Sequence, residues 1–170
     1  MEKTKVLALP KVKIGALIQF IALVGIATAA PFFLSQAITG PIVNATLFIA
    51  VVLLGSGSAI LVGLIPSLVS LSAGLLPAVL APMIPFIMVG NTVLILIFAA
   101  LRKKNYWAGM ISASALKALW LFATSSVVIN LLLKKEIASQ VALMMSWPQL
   151  LTALAGGVLA FIFLKFLKKV

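Results

Sequence analysis

The sequence predicts an all-α integral membrane protein with six transmembrane helices and both termini in the cytoplasm. Three observations lead there. Hydrophobic residues make up 64% of the 170 residues and charged residues only 9%, whereas a soluble domain is roughly half apolar and a quarter charged; mean hydropathy is +1.32. The apolar residues fall into six runs, approximately 14–33, 41–55, 58–76, 77–101, 107–133 and 149–167, to be compared with the ~20 residues that cross a hydrocarbon core at about 1.5 Å per residue. The basic residues cluster at the ends of these runs. The chain, 1–170, therefore reads as a single transmembrane domain.

The first run follows Lys3, Lys5, Lys11 and Lys13. Its basic start, apolar stretch and "ATAA" at Ala27 to Ala30 also describe a secretory signal. Cleavage after Ala29 would leave five spans, and six evenly spaced spans are the expectation adopted. The second run is short, so it either tilts or borrows residues from the preceding "FLSQAITG". "GSGS" from Gly55 to Ser58 predicts a tight, uncharged turn into the third run. The fourth carries Pro77, Pro82 and Pro85, each lacking a backbone donor, which predicts a kinked or irregular start. At membrane depth such backbone survives only where protein or a water-lined cavity satisfies it. The fifth contains "SASALKALWLF", Ser112 to Phe122, with Lys117 in its middle. The sixth ends among Lys165, Lys168 and Lys169.

Orientation follows from the basic residues. With the N-terminus inside, the cytoplasmic segments hold Lys3, Lys5, Lys11, Lys13, Arg102, Lys103, Lys104, Lys165, Lys168 and Lys169, ten of the thirteen, while the outer loops hold Lys134 and Lys135. That asymmetry is the positive-inside pattern. It also accounts for the net charge of +11 without nucleic acid, since the basic residues form no continuous patch. There is no histidine, no cysteine, and the only acids are Glu2 and Glu136. Metal centres and acid–base enzymes need converging His, Cys, Asp or Glu, so neither catalysis nor a metal or other cofactor is expected. Proton-coupled carriers rely on buried carboxylates, which the runs lack. No GxxxxGK[ST] loop occurs, so ATP-driven work would come from another chain.

Depth sorts the remaining polar residues. Asn44, Ser70, Ser72, Ser126 and Asn130 are expected toward the outer leaflet, with Gln36 and Thr39 in the loop above them. Asn91 and Lys117 each lie ten residues from the cytoplasmic end of their runs, about 15 Å deep, where they could share one cavity. Ser and Thr in such helices often bond to their own backbone carbonyls, and Asn often joins helices. A central lysine costs roughly 2.5–3.5 kcal/mol on insertion scales. Its possible explanations are snorkelling, an amine bonded to Asn91 or to carbonyls freed by the prolines, or a counter-charge for a bound anion. Small residues spaced for close helix approach occur at Gly25-xxx-Ala29, Gly55-xxx-Ala59-xxx-Gly63 and Ala153-xxx-Gly157.

The size, six spans, cytoplasmic ends and basic N-terminus, the "ITGPIVNATLF" that follows the first loop and the middle "GLIPSLVSLSAGLLPAVLAPMIPFIMVGN" resemble the substrate-binding S component of an energy-coupling factor (ECF) vitamin transporter. The resemblance covers nearly the whole chain and rests on layout. It implies a multi-pass protein of the bacterial plasma membrane with a pocket near the outer face, covered by the loops after helices 1, 3 and 5. It also implies a transmembrane T component and two cytoplasmic ATPases as partners, and toppling of the S component to release cargo. The family's helix 1 AxxxA docking motif corresponds here to Gly25-xxx-Ala29, a departure. Without histidine for nickel or cobalt, or an acid for cationic vitamins, a small neutral or anionic organic substrate is favoured. Lys117 would meet its carboxylate or phosphate. Asn91, Asn44, Asn130, Gln36 and Ser70 would add hydrogen bonds, and "EIASQVALMMSWP", Glu136 to Pro148, would serve as a lid carrying Met144, Met145 and Trp147. A small membrane channel and a structural or scaffold subunit of a membrane complex remain the alternatives.

Overall fold

A computed structural model describes residues 14–33, 35–74, 78–132 and 141–170. It contains helices and turns, with no strand among these residues: α1 (Ile14–Phe33), α2 (Gln36–Leu53), α3 (Ser56–Ser72), a 3-10 segment (Ala78–Met83), α4 (Ile84–Leu101), α5 (Tyr106–Leu132) and α6 (Trp147–Phe166). A helical turn at 141–144 precedes α6. Four stretches, Ile14–Phe32, Ala81–Leu101, Tyr106–Val128 and Val141–Phe166, are long and apolar enough to cross a membrane, while α2 and α3 are shorter apolar helices. Large apolar side chains such as Ile14, Ile18, Leu119, Phe122, Ile162 and Phe166 point outward, the reverse of a soluble bundle, in which the outward faces are polar.

Helix boundaries follow local chemistry. Pro41 costs α2 one ladder hydrogen bond but does not stop it, so the helix begins at Gln36, five residues before the run at 41–55. Gln36 and Thr39 are therefore helical, not loop residues, and Asn44 is mid-helix instead of near an end. Leu54 and Gly55 make the α2–α3 turn, Gly55 with φ 83°, a left-handed conformation that glycine adopts without a Cβ penalty. The helix resumes at Ser56, so Gly57 and Ser58 belong to α3. The α-helical part of the fourth run starts only at Ile84, after the 3-10 segment containing Pro82. Pro85 falls in the first turn of α4, where its missing N–H costs nothing. Asn105 caps α5, its Oδ1 accepting from the Ala108 N–H at 3.0 Å.

Packing centres on α2, in which residues 44–51 are all buried and which touches α1, α3, α4 and α6. α1 contributes the stripe Leu23, Ala27 and Ala30, spaced for one helix face. α4 and α5 form an antiparallel pair. α6 lies parallel to α2, with Gly40 against Thr152 and Gly156 against Pro41, Asn44 and Ala45. At Gly156 a Cβ would stand 2.6 Å from Asn44 Cβ and 2.7 Å from the Pro41 carbonyl oxygen, so glycine alone permits this approach. Phe48 meets Phe98 edge-on at 4.7 Å between ring centroids, and Phe98 meets Tyr106 at 5.2 Å. The Tyr106 hydroxyl donates to the Gly157 carbonyl at 2.8 Å. These contacts bring the C-terminal halves of α2, α4 and α6 and the start of α5 to one end of the bundle. Arg102, Lys103, Lys104, Lys165, Lys168 and Lys169 gather at that end. Among the described residues the remaining basic side chain is Lys117.

Candidate functional site

Lys117 lies on the inward face of α5, whose buried positions Met110, Ala113, Ser114, Lys117, Leu121, Ser125 and Val128 recur every three or four residues, one face of a helix. The side chain is 4% exposed, so it does not snorkel to an end of the bundle. Its Nζ donates to Asn44 Oδ1 at 2.6 Å and to Asn91 Oδ1 at 2.8 Å. Asn91 Nδ2 donates in turn to the Gly63 carbonyl at 3.1 Å, and Asn44 Nδ2 to the Gly40 carbonyl at 2.9 Å. Because each amide nitrogen is engaged by a backbone oxygen, each amide oxygen faces the amine, which fixes both orientations. One lysine thereby ties α5 to α2 and α4, and Asn91 extends the tie to α3.

Glycines bring backbone up to this centre on two sides. Gly156 of α6 backs Asn44. A Cβ on Gly63 would sit 3.3 Å from both Asn91 Cβ and Ile95 Cδ1, tighter than side chains ordinarily pack. The polar layer also divides the core. Toward the basic end lies a large apolar cluster built on Leu47, Phe48, Val62, Leu94, Ile95, Phe98 and Leu164. Toward the other end, Met83, Leu121, Val128, Val141 and Met145 form a second cluster to which α1, α2, α3 and α6 contribute no buried residue among those described. There Trp120 Nε1 donates to the Phe86 carbonyl at 2.9 Å, pinning α5 to the first turn of α4.

The centre's chemistry is one-sided. Among the described residues there is no acidic side chain, since Glu2 and Glu136 lie outside them, and no group of His, Cys, Asp or Glu that could hold a metal. Among the described residues the second N–H of each amide meets no acceptor, and Ser114 Oγ, buried three residues before Lys117, has no partner. What the centre can still offer is mainly hydrogen-bond donors, which suit a carbonyl, carboxylate or phosphate oxygen.

The other predicted residues are not gathered here. Asn44, expected near the outer leaflet, stands level with Asn91 and Lys117. Ser70 is buried on α3, seven residues beyond Gly63 and so about 10 Å along the helix. Trp147 opens α6 and is 62% exposed, nine residues before Gly156. Met145 is buried in the second apolar cluster. Gln36 and Asn130 are helical, but their side chains, like Lys134, Lys135 and Glu136 to Gln140 of the expected lid, lie outside what is described. Gly25 and Ala29 are exposed on α1, with open space around Gly25. Thr46, Thr92, Thr124, Ser125 and Ser126 bond to carbonyls of their own helices, and Ser72 does the same. Gly63 was marked for close helix approach but not for this centre, and Gly156 and Ser114 were missed. Ser114 stands within "SASALK" and Gly156 beside the marked Gly157, but nothing in their spacing distinguishes them from other small residues. Compared with protein-family models, curated proteins and solved structures, the chain matches none.

Proposed function

We propose that this chain is the membrane-embedded substrate-binding subunit of an ECF-type uptake transporter, holding a small neutral or anionic organic solute of vitamin-like size. The observation that supports this most is the makeup of the central layer: an enclosed amine and two amides with donors to spare and no acidic side chain among the described residues. A central lysine costs roughly 2.5–3.5 kcal/mol to insert, and an anionic or carbonyl-bearing cargo gives that expense a use. The membrane arrangement belonging to this reading is six spans with both termini cytoplasmic in the plasma membrane of a bacterium. The shorter α2 and α3 fit it because neighbouring helices cover much of their surface. With no phosphate-binding loop in the sequence, a T component and two cytoplasmic ATPases supply the energy, and the exposed Gly25–Ala29 face of α1 is the docking side. The chain itself catalyses nothing.

A second reading is favoured by one specific observation. Both asparagine oxygens already accept from Lys117, so the lysine has partners without any cargo, as a clamp in a scaffold subunit would. Affinity capture of the tagged chain from its native membranes separates the two, with mass spectrometry of the small molecules and proteins retained. The transport reading expects one organic solute without fixed positive charge, close to one per chain, together with a transmembrane subunit and ATPases. A folded chain that carries neither contradicts it and leaves the clamp.

A further inference from the structure

The basic end of the bundle carries features that cargo binding does not use. Lys103 and Lys104 on the α4–α5 turn and Lys165, Lys168 and Lys169 at the end of α6 are exposed, and no acidic side chain accompanies them among the described residues. Arg102 is half-buried, and its Nε is enclosed without a hydrogen-bond partner among the described residues. Directly beside this turn stands an aromatic group. The Trp107 and Phe161 ring centroids are 4.6 Å apart, and Tyr106 lies 5.1 Å from Phe161 and 5.7 Å from Trp107. Phe161 precedes Lys165 by four residues, so the two share a face of α6. The arginine turn, Trp107 and Lys165 thus border one side of the α5–α6 contact. Trp107, Ile162 and Phe166 expose apolar surface around it.

We propose that this side of the α4–α5 turn and the end of α6 bind the phosphate headgroup of an anionic phospholipid. Tryptophan and tyrosine favour the level of the headgroups, which puts the adjoining cations where lipid phosphates lie. The Arg102 fork supplies directed donors, Lys103, Lys104 and Lys165 supply charge, and the exposed apolar side chains offer surface to the acyl chains. An acidic protein would match the charges but leave the aromatic and apolar surface without a role.

The test is native mass spectrometry of the full chain in detergent with equal amounts of phosphatidylglycerol and phosphatidylcholine bearing identical acyl chains. The wild type should retain phosphatidylglycerol over phosphatidylcholine by roughly tenfold or more, and removing any one basic residue should lower that preference by up to about fivefold at low ionic strength. R102Q/K103Q/K104Q should abolish it. K103Q/K104Q/K165Q, which spares the half-buried arginine, should cut it steeply without touching the fold. Equal retention of the two lipids by the wild type, the outcome expected if an acidic protein is the true occupant, overturns the proposal, as does an undiminished preference in both variants.

Discussion

Lys117 is held by two amides, and that pairing sets what single substitutions do. Asn91→Leu or Asn44→Leu removes one acceptor and leaves the amine short of a partner in an enclosed site, so each should destabilise the protein by about 1.5–3 kcal/mol, the range for hydrogen bonds to a charged group. Lys117→Met leaves two amide oxygens without a donor, yet it also removes the insertion cost of roughly 2.5–3.5 kcal/mol, and its net effect should be small. Replacing the whole layer, K117M/N44L/N91L, removes every partner together, and buried polar networks exchanged for apolar side chains are often neutral or stabilising. Thermal unfolding in detergent should therefore rank the single asparagine variants below both the lysine variant and the triple variant. A triple variant less stable than either asparagine variant would show that the layer holds the fold together.

At the scale of elements, α6 depends on a residue without a side chain. Gly156→Ala would place its Cβ within 3 Å of Asn44 Cβ, the Pro41 oxygen and the Ala45 nitrogen; two of the three are backbone atoms that cannot swing aside. It should cost about 1–3 kcal/mol, the usual penalty of overpacking. Gly25→Ala meets nothing within 4 Å and should leave the melting temperature unchanged or slightly raised. If the α1 face docks a T component, Ala29→Leu should weaken capture of that partner while stability holds. Most helices were legible because bilayer length and the punctuation by Gly55, Pro82 and Pro85 are local signals. The start of α2 was left open between a tilted short helix and one borrowing from "FLSQAITG", since polar Gln36 and Thr39 ahead of Pro41 resemble a loop. Placing them in the loop moved Asn44 outward by half a helix and hid its bond to Lys117. The meeting of Lys117 with Asn91 was legible, because antiparallel neighbours joined by a short turn place equal counts from that turn side by side. The parallel contact of α2 with α6 was not, because it rests on small residues whose spacing recurs along the whole chain.

For the whole molecule, the described basic residues other than Lys117 gather at one end, which in the proposed arrangement would be the cytoplasmic end by the positive-inside rule. The chain has no cysteine of its own, so single cysteines report cleanly. At Lys3 and Lys169 they should resist an impermeant thiol reagent in intact cells, and at Gln140 one should react; labelling at either of the first two positions contradicts the orientation. The apolar core lies mainly on the basic side of the polar layer. The opposite side, where fewer helices contribute buried apolar residues, is where a cargo would reach Lys117, Asn44 and Asn91 from outside. The measurement that bears most directly on this is the amount of small molecule retained by the K117M/N44L/N91L protein, purified from its native membranes beside the wild type and shown by its melting curve to be folded. The account predicts that the wild type retains an organic solute near one per chain and that the folded triple variant retains at least tenfold less, equivalent to about 1.4 kcal/mol or more. Equal retention by the two proteins would contradict it and reduce Lys117 to a clamp between helices.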